Sequence, residues 1–162
     1  MVLKNLKFLV VILYAKKKLN LIKKNLHTKM VGFFIKKGKK TIATQIVNDA
    51  FLIVSKKTGL PMHQIFLQLF LKLNSFVETK KVRIRRSTHL VPFAITLKRR
   101  SYLIIKWILL AVKEDIRKIS ITEKLASEIE QTIGKNASKS VKIRQSNIVS
   151  ALSNRSNIHF RW

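Results

Sequence analysis

Residues 77–95 read Val-Glu-Thr-Lys-Lys-Val-Arg-Ile-Arg-Arg-Ser-Thr-His-Leu-Val-Pro-Phe-Ala-Ile. Here the apolar period drops to two. Val82 and Ile84 alternate with Lys81, Arg83 and Arg85, the spacing of a strand with one apolar and one solvated face. Val77–Ile84 and Thr88–Ile95 are therefore expected strands, joined through Arg85, Arg86 and Ser87. That tip lacks the Gly or Asn that a tight hairpin turn usually employs. Pro92 has no N–H to give to a ladder, so its strand is an edge. A two-stranded ribbon is marginal alone in water and calls for something to lie against.

Everything around the ribbon has helical spacing. Downstream, Arg99 to Lys113 is apolar nearly all round through Tyr102, Leu103, Ile104, Ile105, Trp107, Ile108 and Leu109, which marks a central core helix. The next helix opens on Ser120-Ile121-Thr122-Glu123, a capping box in which side chains satisfy the free N–H groups of the first turn. It ends near Gly134. A basic, Ser-rich link with Lys135, Lys139, Lys142 and Arg144 is expected next, then a last helix from about Ser146 to Asn157. Upstream, Ile65, Phe66, Leu69, Phe70 and Leu73 share one face of a helix that starts at Pro61, a residue suited to a first turn. Ile42, Ile46, Val47, Ala50, Phe51 and Val54 stripe a helix over Thr41–Lys57, stopped by Gly59. A short helix from Thr28 to Lys37 precedes it. That helix ends at Gly38, inside a basic turn of Lys36, Lys37, Lys39 and Lys40. The fold class is thus mainly α, about six helices in a bundle-like domain with one protruding two-stranded β-ribbon. Residues 26–162 form a single domain behind a basic, apolar extension over 1–25, in which Leu3, Leu6, Val10 and Leu13 fall at helical spacing.

Charge narrows the function. The 162 residues carry 34 Lys plus Arg against 7 Asp plus Glu, a formal net charge of +27, while an apolar share of 47% is that of a folded chain rather than a disordered one. Self-repulsion on that scale works against a compact monomer alone in water, so a polyanionic partner is expected. Residues 1–48 hold twelve Lys and no acid, whereas five of the seven acids lie between Glu114 and Glu130, the stretch least suited to face a polyanion. Guanidinium groups bind phosphate bidentately and stack on bases, so Arg83, Arg85, Arg86, Arg99 and Arg100 count for more than the lysines. A helical body with one ribbon fits irregular RNA shape better than major-groove reading.

Several chemistries are excluded. The chain has no Cys, hence no thiolate metal site, disulfide or Cys nucleophile. His27, His63, His89 and His159 are scattered without metal-ligand spacing. Glu123, Glu128 and Glu130 share one helix, where capping and solvation account for them, and four Gly form no phosphate-cradling loop. No catalytic residue, metal, cofactor or small-molecule substrate is expected. The longest apolar runs, Phe8–Ala15 and Tyr102–Val112, fall short of the ~20 residues that span a bilayer, so no stable membrane insertion is expected. The opening apolar stretch runs into Lys16, Lys17 and Lys18 rather than a small-residue cleavage site, so no cleavable targeting segment is read there.

Specific residues then point to a family. In order, the chain carries Gly38-Lys39-Lys40, Lys57-Thr58-Gly59, Ser87-Thr88-His89-Leu90-Val91-Pro92, Lys106-Trp107, Asn154-Arg155 and His159-Phe160-Arg161-Trp162. In order and spacing these resemble bacterial-type small-subunit ribosomal protein seven, over roughly Leu26 to Trp162. The resemblance implies a six-helix domain with a β-ribbon arm in the head of the small ribosomal subunit. It implies a primary binder of the 3′ domain of the rRNA that nucleates head assembly, with the arm near the exit-tRNA site and the mRNA exit path. Neighbouring proteins of the head and platform would be further partners, with tRNA and mRNA near the ribbon. Carried over by position, the RNA-facing residues are Lys36, Lys37, Lys39 and Lys40 at the first turn, and Lys80, Lys81, Arg83, Lys98 and Arg99 on the ribbon and its root. Lys106 follows on the fourth helix, and Lys142, Arg144 and Arg155 near the C-terminus. Arg85 and Arg86 stand where the family has a Gly pair, which makes the tip more basic. Gln145 and Ser146 stand where it often has an acidic pair before the last helix, so that helix start is expected to lack dipole-compensating charge.

The excess of Lys over Arg, with abundant Ile, Leu and Asn, suggests an AT-rich coding sequence. With the divergence from the family pattern it suggests a mitochondrial, organelle-encoded product, with a plastid or a bacterial cytoplasm as the fallback. Two other readings compete: a membrane-surface protein using the N-terminal Leu/Lys pattern, and a DNA-compacting protein indifferent to sequence.

Overall fold

The computed structural model describes residues 26–134 and 138–161. The proposed extension over 1–25 and Lys135 of the proposed link lie outside the described residues. Helix α1 covers 26–34, followed by α2 (Lys40–Thr58), α3 (Met62–Leu73), strands β1 (Val77–Ile84) and β2 (Ser87–Ala94), then α4 (Leu97–Lys113), α5 (Ile121–Ile133) and α6 (Lys139–Ser153). A 3-10 helix, Arg155–Phe160, follows α6.

Apolar stripes at helical spacing bring the helices together. Val47, Ala50, Phe51 and Val54 of α2, Ile65, Phe66 and Leu69 of α3, Ile104, Ile105 and Ile108 of α4, and Leu125 and Ile129 of α5 form one buried core, joined by Leu26, Met30 and Val31 of α1. Phe51 stacks on Phe66 with ring centroids 4.2 Å apart. Because α4 is apolar on nearly all sides it also faces a second, smaller cluster. There Trp107 and Leu103 pack with Ile95 from the end of the ribbon, and Tyr102 and Ile143 flank them. The expected central helix is thus a partition between two clusters, and Trp107 belongs to the smaller.

Local chemistry sets the helix ends. Gly59 closes α2 in the left-handed region at φ 67°, and its N–H donates to the Ser55 carbonyl. Pro61 stands just before α3, not inside its first turn, and its carbonyl accepts from Gln64 and Ile65. The first helix stops at Phe34, three residues before its expected end. The turn after it uses two consecutive left-handed residues, Lys37 at φ 51° and Gly38 at φ 75°. Ser120 caps α5, its hydroxyl accepting from the Glu123 N–H at 3.2 Å.

The C-terminal region departs from the expected link. Helix α6 starts at Lys139, seven residues before the predicted Ser146, so Lys139, Lys142 and Arg144 are helical. Two things nucleate it early. Ser138 caps it by accepting from the Val141 N–H at 3.3 Å. The buried Glu128 carboxylate of α5 accepts from both the N–H and the hydroxyl of Ser140, at 2.9 and 2.8 Å. Gln145 and Ser146 fall mid-helix, not before its start. The dipole-compensating charge expected to be missing there is supplied at the true start by Glu128. The predicted end at Asn157 is also displaced: Asn154 ends α6, and the 3-10 helix turns back onto β2.

Val77–Ala94 and Ile84–Ser87 bound the antiparallel register, so Thr79 sits opposite Pro92. With two strands both are edges, and Pro92 omits no bond that a third strand would need. Ribbon and body meet through the chain itself. Asn157 Nδ2 donates to the Leu90 carbonyl at 3.1 Å, and the Phe160 and His89 rings lie 5.2 Å apart.

Candidate nucleic-acid interface

The cationic residues chosen from the sequence fall into places with different surroundings. Lys36, Lys37, Lys39 and Lys40 are all exposed on the tight turn between α1 and α2. The start of α2 has no side-chain cap and no acid in its first turn. Its free N–H groups and the positive end of its dipole therefore coincide with four ammonium groups, an arrangement that favours phosphate. Helix α4 likewise begins uncapped and with no acid in its own first turn, next to Lys98, but there the Glu78 carboxylate of β1 lies against Arg99.

The ribbon register shows which side chains share a face. Glu78, Lys80, Val82 and Ile84 lie on one face with Phe93, Val91 and His89; Lys81 and Arg83 lie on the other with Leu90 and Thr88. Cations therefore project from both faces, and Lys80, Lys81 and Arg83 are exposed. The Lys80 ammonium lies 5.2 Å from the centroid of the Phe93 ring. At the tip, Arg85 takes φ 52° while Arg86 is not in the positive region. A I′ turn, which needs positive φ at both central residues, is therefore not formed. The Ser87 hydroxyl closes the tip on the Ile84 carbonyl at 3.2 Å. A non-glycine residue in the left-handed region costs about 1–2 kcal/mol. Arginine at this position thus puts charge on the outermost point of the ribbon at the expense of backbone strain.

Two of the chosen arginines are engaged within the chain. Arg99 forms a bidentate pair with Glu78, Nε to Oε2 at 3.0 Å and Nη2 to Oε1 at 2.7 Å. That hydrogen bond holds the Glu78 carboxyl below its ordinary range, against the opposing effect of burial. Arg144 donates to the Asn74 carbonyl at 2.9 Å and is half-buried. Lys106 on α4, Lys142 on α6 and Arg155 at the start of the 3-10 helix are exposed.

The sequence reading gave no structural role to Lys29, Arg100 or Arg161. Lys29 donates to the Lys98 carbonyl at 3.3 Å, tying α1 to α4. Arg161 donates twice to the Pro92 carbonyl, at 3.0 and 2.9 Å. Lys29 and Arg161 reach main-chain carbonyls far away in sequence, which leave no side-chain signature; the Phe76 ring beside Arg100 and the Phe93 ring beside Arg161 are the clues in side chains.

Two carboxylates of the acidic stretch are ion-paired within the chain and a third is buried. Arg117 pairs with Asp115 and pulls its pKa down to about 2. Lys57 pairs with Glu130 at 3.0 Å, and Glu128 of α5 is buried against the start of α6. Among the described residues no group of His, Asp and Glu could hold a metal ion. Nor is any described helix long and apolar enough to cross a membrane.

The comparisons with known proteins agree with this arrangement. Residues 8–155 match the family described as ribosomal protein S7p/S5e, a span that begins well ahead of the resemblance read from Leu26 onward. The small ribosomal subunit protein uS7 of Desulforamulus reducens is 32% identical over 135 residues, covering 83% of this chain and 85% of that protein. The uS7 of Fervidobacterium nodosum is 34% identical over 135 residues, with 83% and 86% covered. That of Clostridium tetani is 31% identical over the same length, with 83% and 85% covered.

Proposed function

The chain belongs to the ribosomal protein S7p/S5e family, and from that premise we infer that it is a structural component of the small ribosomal subunit that binds ribosomal RNA. It is not an enzyme. The observation that carries the reading is the family match over most of the chain. The cationic ribbon and the two uncapped, lysine-flanked helix starts support it physically. Binding is electrostatic in origin: Lys and Arg displace condensed counterions, and the shape of body plus ribbon selects the site. Contacts of this kind fix register on phosphate and do not read bases.

The finer reading is our proposal. The chain binds the 3′ domain of the small-subunit rRNA first and nucleates the head, with its ribbon near the exit-tRNA site and the mRNA exit path. Head and platform proteins are its neighbours. Its RNA-facing set is Lys36, Lys37, Lys39, Lys40, Lys80, Lys81, Arg83, Arg85, Arg86, Lys98, Lys106, Lys142 and Arg155; Arg99 and Arg144, expected in that set by position, bond within the chain at the ribbon root. The Lys-rich, Arg-poor composition supports an organellar, mitochondrial setting.

Sedimentation of the tagged full chain from a gentle organelle lysate, with and without ribonuclease, tests the assignment. Co-migration with the small subunit that ribonuclease abolishes is expected. Migration with membranes regardless of ribonuclease would refute it.

A further inference from the structure

The nine arginines of the chain are not equivalent. Four converge on the root of the ribbon and commit their guanidinium groups to the chain itself. Arg99, in the first turn of α4, grips the Glu78 carboxylate of β1 with two hydrogen bonds. Its neighbour Arg100 donates to the Ile95 carbonyl at 3.1 Å and lies 4.3 Å from the centre of the Phe76 ring. Phe76 precedes β1 and Ile95 follows β2, so Arg100 holds both ends of the hairpin. Arg144 reaches from α6 to the Asn74 carbonyl, where α3 gives way to the ribbon. Arg161, near the chain end, takes the Pro92 carbonyl with two N–H groups and lies 5.7 Å from the Phe93 ring centre. The planar fork of arginine fixes direction as well as distance, which a lysine ammonium does not.

We propose that these four arginines form a clamp that sets the angle of the ribbon to the helical body, and that Arg99 and Arg144 serve RNA binding as positioning residues, not as phosphate contacts. The proposal rests on the reading of the ribbon as an RNA-binding finger. Geometry makes the angle matter. Strands of eight residues at ~3.3 Å per residue are about 26 Å long. A swing of roughly 10° at the root then moves the tip by about 4–5 Å, more than a hydrogen bond spans. Only short connections, residues 74–76 and 95–96, join the ribbon to α3 and α4. The 3-10 helix also packs on β2, so loss of the clamp widens the range of ribbon angles about these connections.

Glu78→Gln separates the two roles by the sign of its effect. If Arg99 contacts phosphate, removing the carboxylate beside it frees a cation and tightens RNA binding. If Arg99 positions the ribbon, the same change weakens binding several-fold and leaves the salt dependence unaltered. Arg83→Ala is the internal comparison: losing one phosphate contact lowers the slope of log K against log salt by roughly 0.7–0.9. The angle is read independently of RNA. The chain has no native cysteine, so spin labels at Ser87→Cys on the tip and Gln131→Cys on α5 are unique. A single narrow distance distribution is expected in the otherwise unaltered full chain, broadened by Glu78→Gln and by Arg144→Ala. An unchanged distribution, or tighter RNA binding by Glu78→Gln, overturns the clamp. Broadened distances in a chain that does not bind rRNA at all would uphold the clamp and overturn the RNA reading instead.

Discussion

Trp107→Ala tests how α4 divides the interior. Trp107 is 4% exposed and packs with Leu103 and Ile95 in the smaller cluster, flanked by Tyr102 and Ile143. A buried tryptophan removes about 150–250 Å² from water, worth at most about 4–6 kcal/mol at ~25 cal/mol per Å². Truncation to Ala typically costs about 3–5 kcal/mol, cavity included. The lower half of that range applies here, because the cluster is small and flanked by partly exposed side chains that can close in. At about 2–4 °C per kcal/mol for a chain of this size, Tm falls by roughly 6–16 °C. Far-UV circular dichroism is the readout, because the substitution removes one of the chain's two tryptophans and so alters the fluorescence signal itself. Moderate salt should be present to screen the +27 charge. Hydrogen exchange adds the location. Ribbon-root and α6 amides should lose protection first, while α2 and α3, held by Phe51 and Phe66 in the main core, keep theirs. A Tm change below about 2 °C, or protection lost equally in α2 and at the ribbon root, would refute the two-cluster division.

Further expectations follow from particular residues. Arg85→Gly relieves the left-handed backbone at the tip, so it should raise the stability of the free protein by about 1 kcal/mol while lowering the salt slope of RNA binding by roughly 0.7–0.9; calorimetry and a salt titration check both. The Glu78–Arg99 pair stabilises the fold with a defined pH dependence. The folded carboxyl lies below its ordinary value of 4.5, so the contribution is fully present above that value and is lost as pH falls through the lowered one. Both side chains are partly exposed, which limits the effect to below about 1 kcal/mol. The Tm gap between parent and Glu78→Gln should therefore close on acidification. Ser120→Ala removes the α5 cap and should cost about 1 kcal/mol in chemical denaturation. An RNA interface with about ten phosphate contacts should show a log–log salt slope of roughly −7 to −9, and a slope near zero would exclude it.

Local and periodic features were legible in the sequence because they rest on short-range physics. The drop to period two at residues 77–95 located the ribbon to within a residue or two of its strands. Gly59 and the Ser120 cap fixed their helix ends, because each acts within one turn. Apolar stripes identified most of the buried core of α2 to α4, although Ile42 of the α2 stripe is exposed; no stripe was read for α5, whose Leu125, Ala126 and Ile129 are buried in the core. Net charge indicated a polyanionic partner whatever the fold, since it depends on composition alone.

Tertiary placement decided the rest. From the sequence, Lys139 to Arg144 was a basic link, because the negative charge that starts α6 there comes from Glu128 on another helix, brought in by packing. Likewise Arg99 and Arg144 had the same standing as Arg83 in a list of cations. Only the fold showed that one meets a carboxylate and the other a distant main-chain carbonyl, while Arg83 stays exposed on the ribbon. Residue type fixes what a guanidinium can bind, but which acceptor it reaches depends on chain segments tens of residues apart, and that proximity exists only once the core has formed.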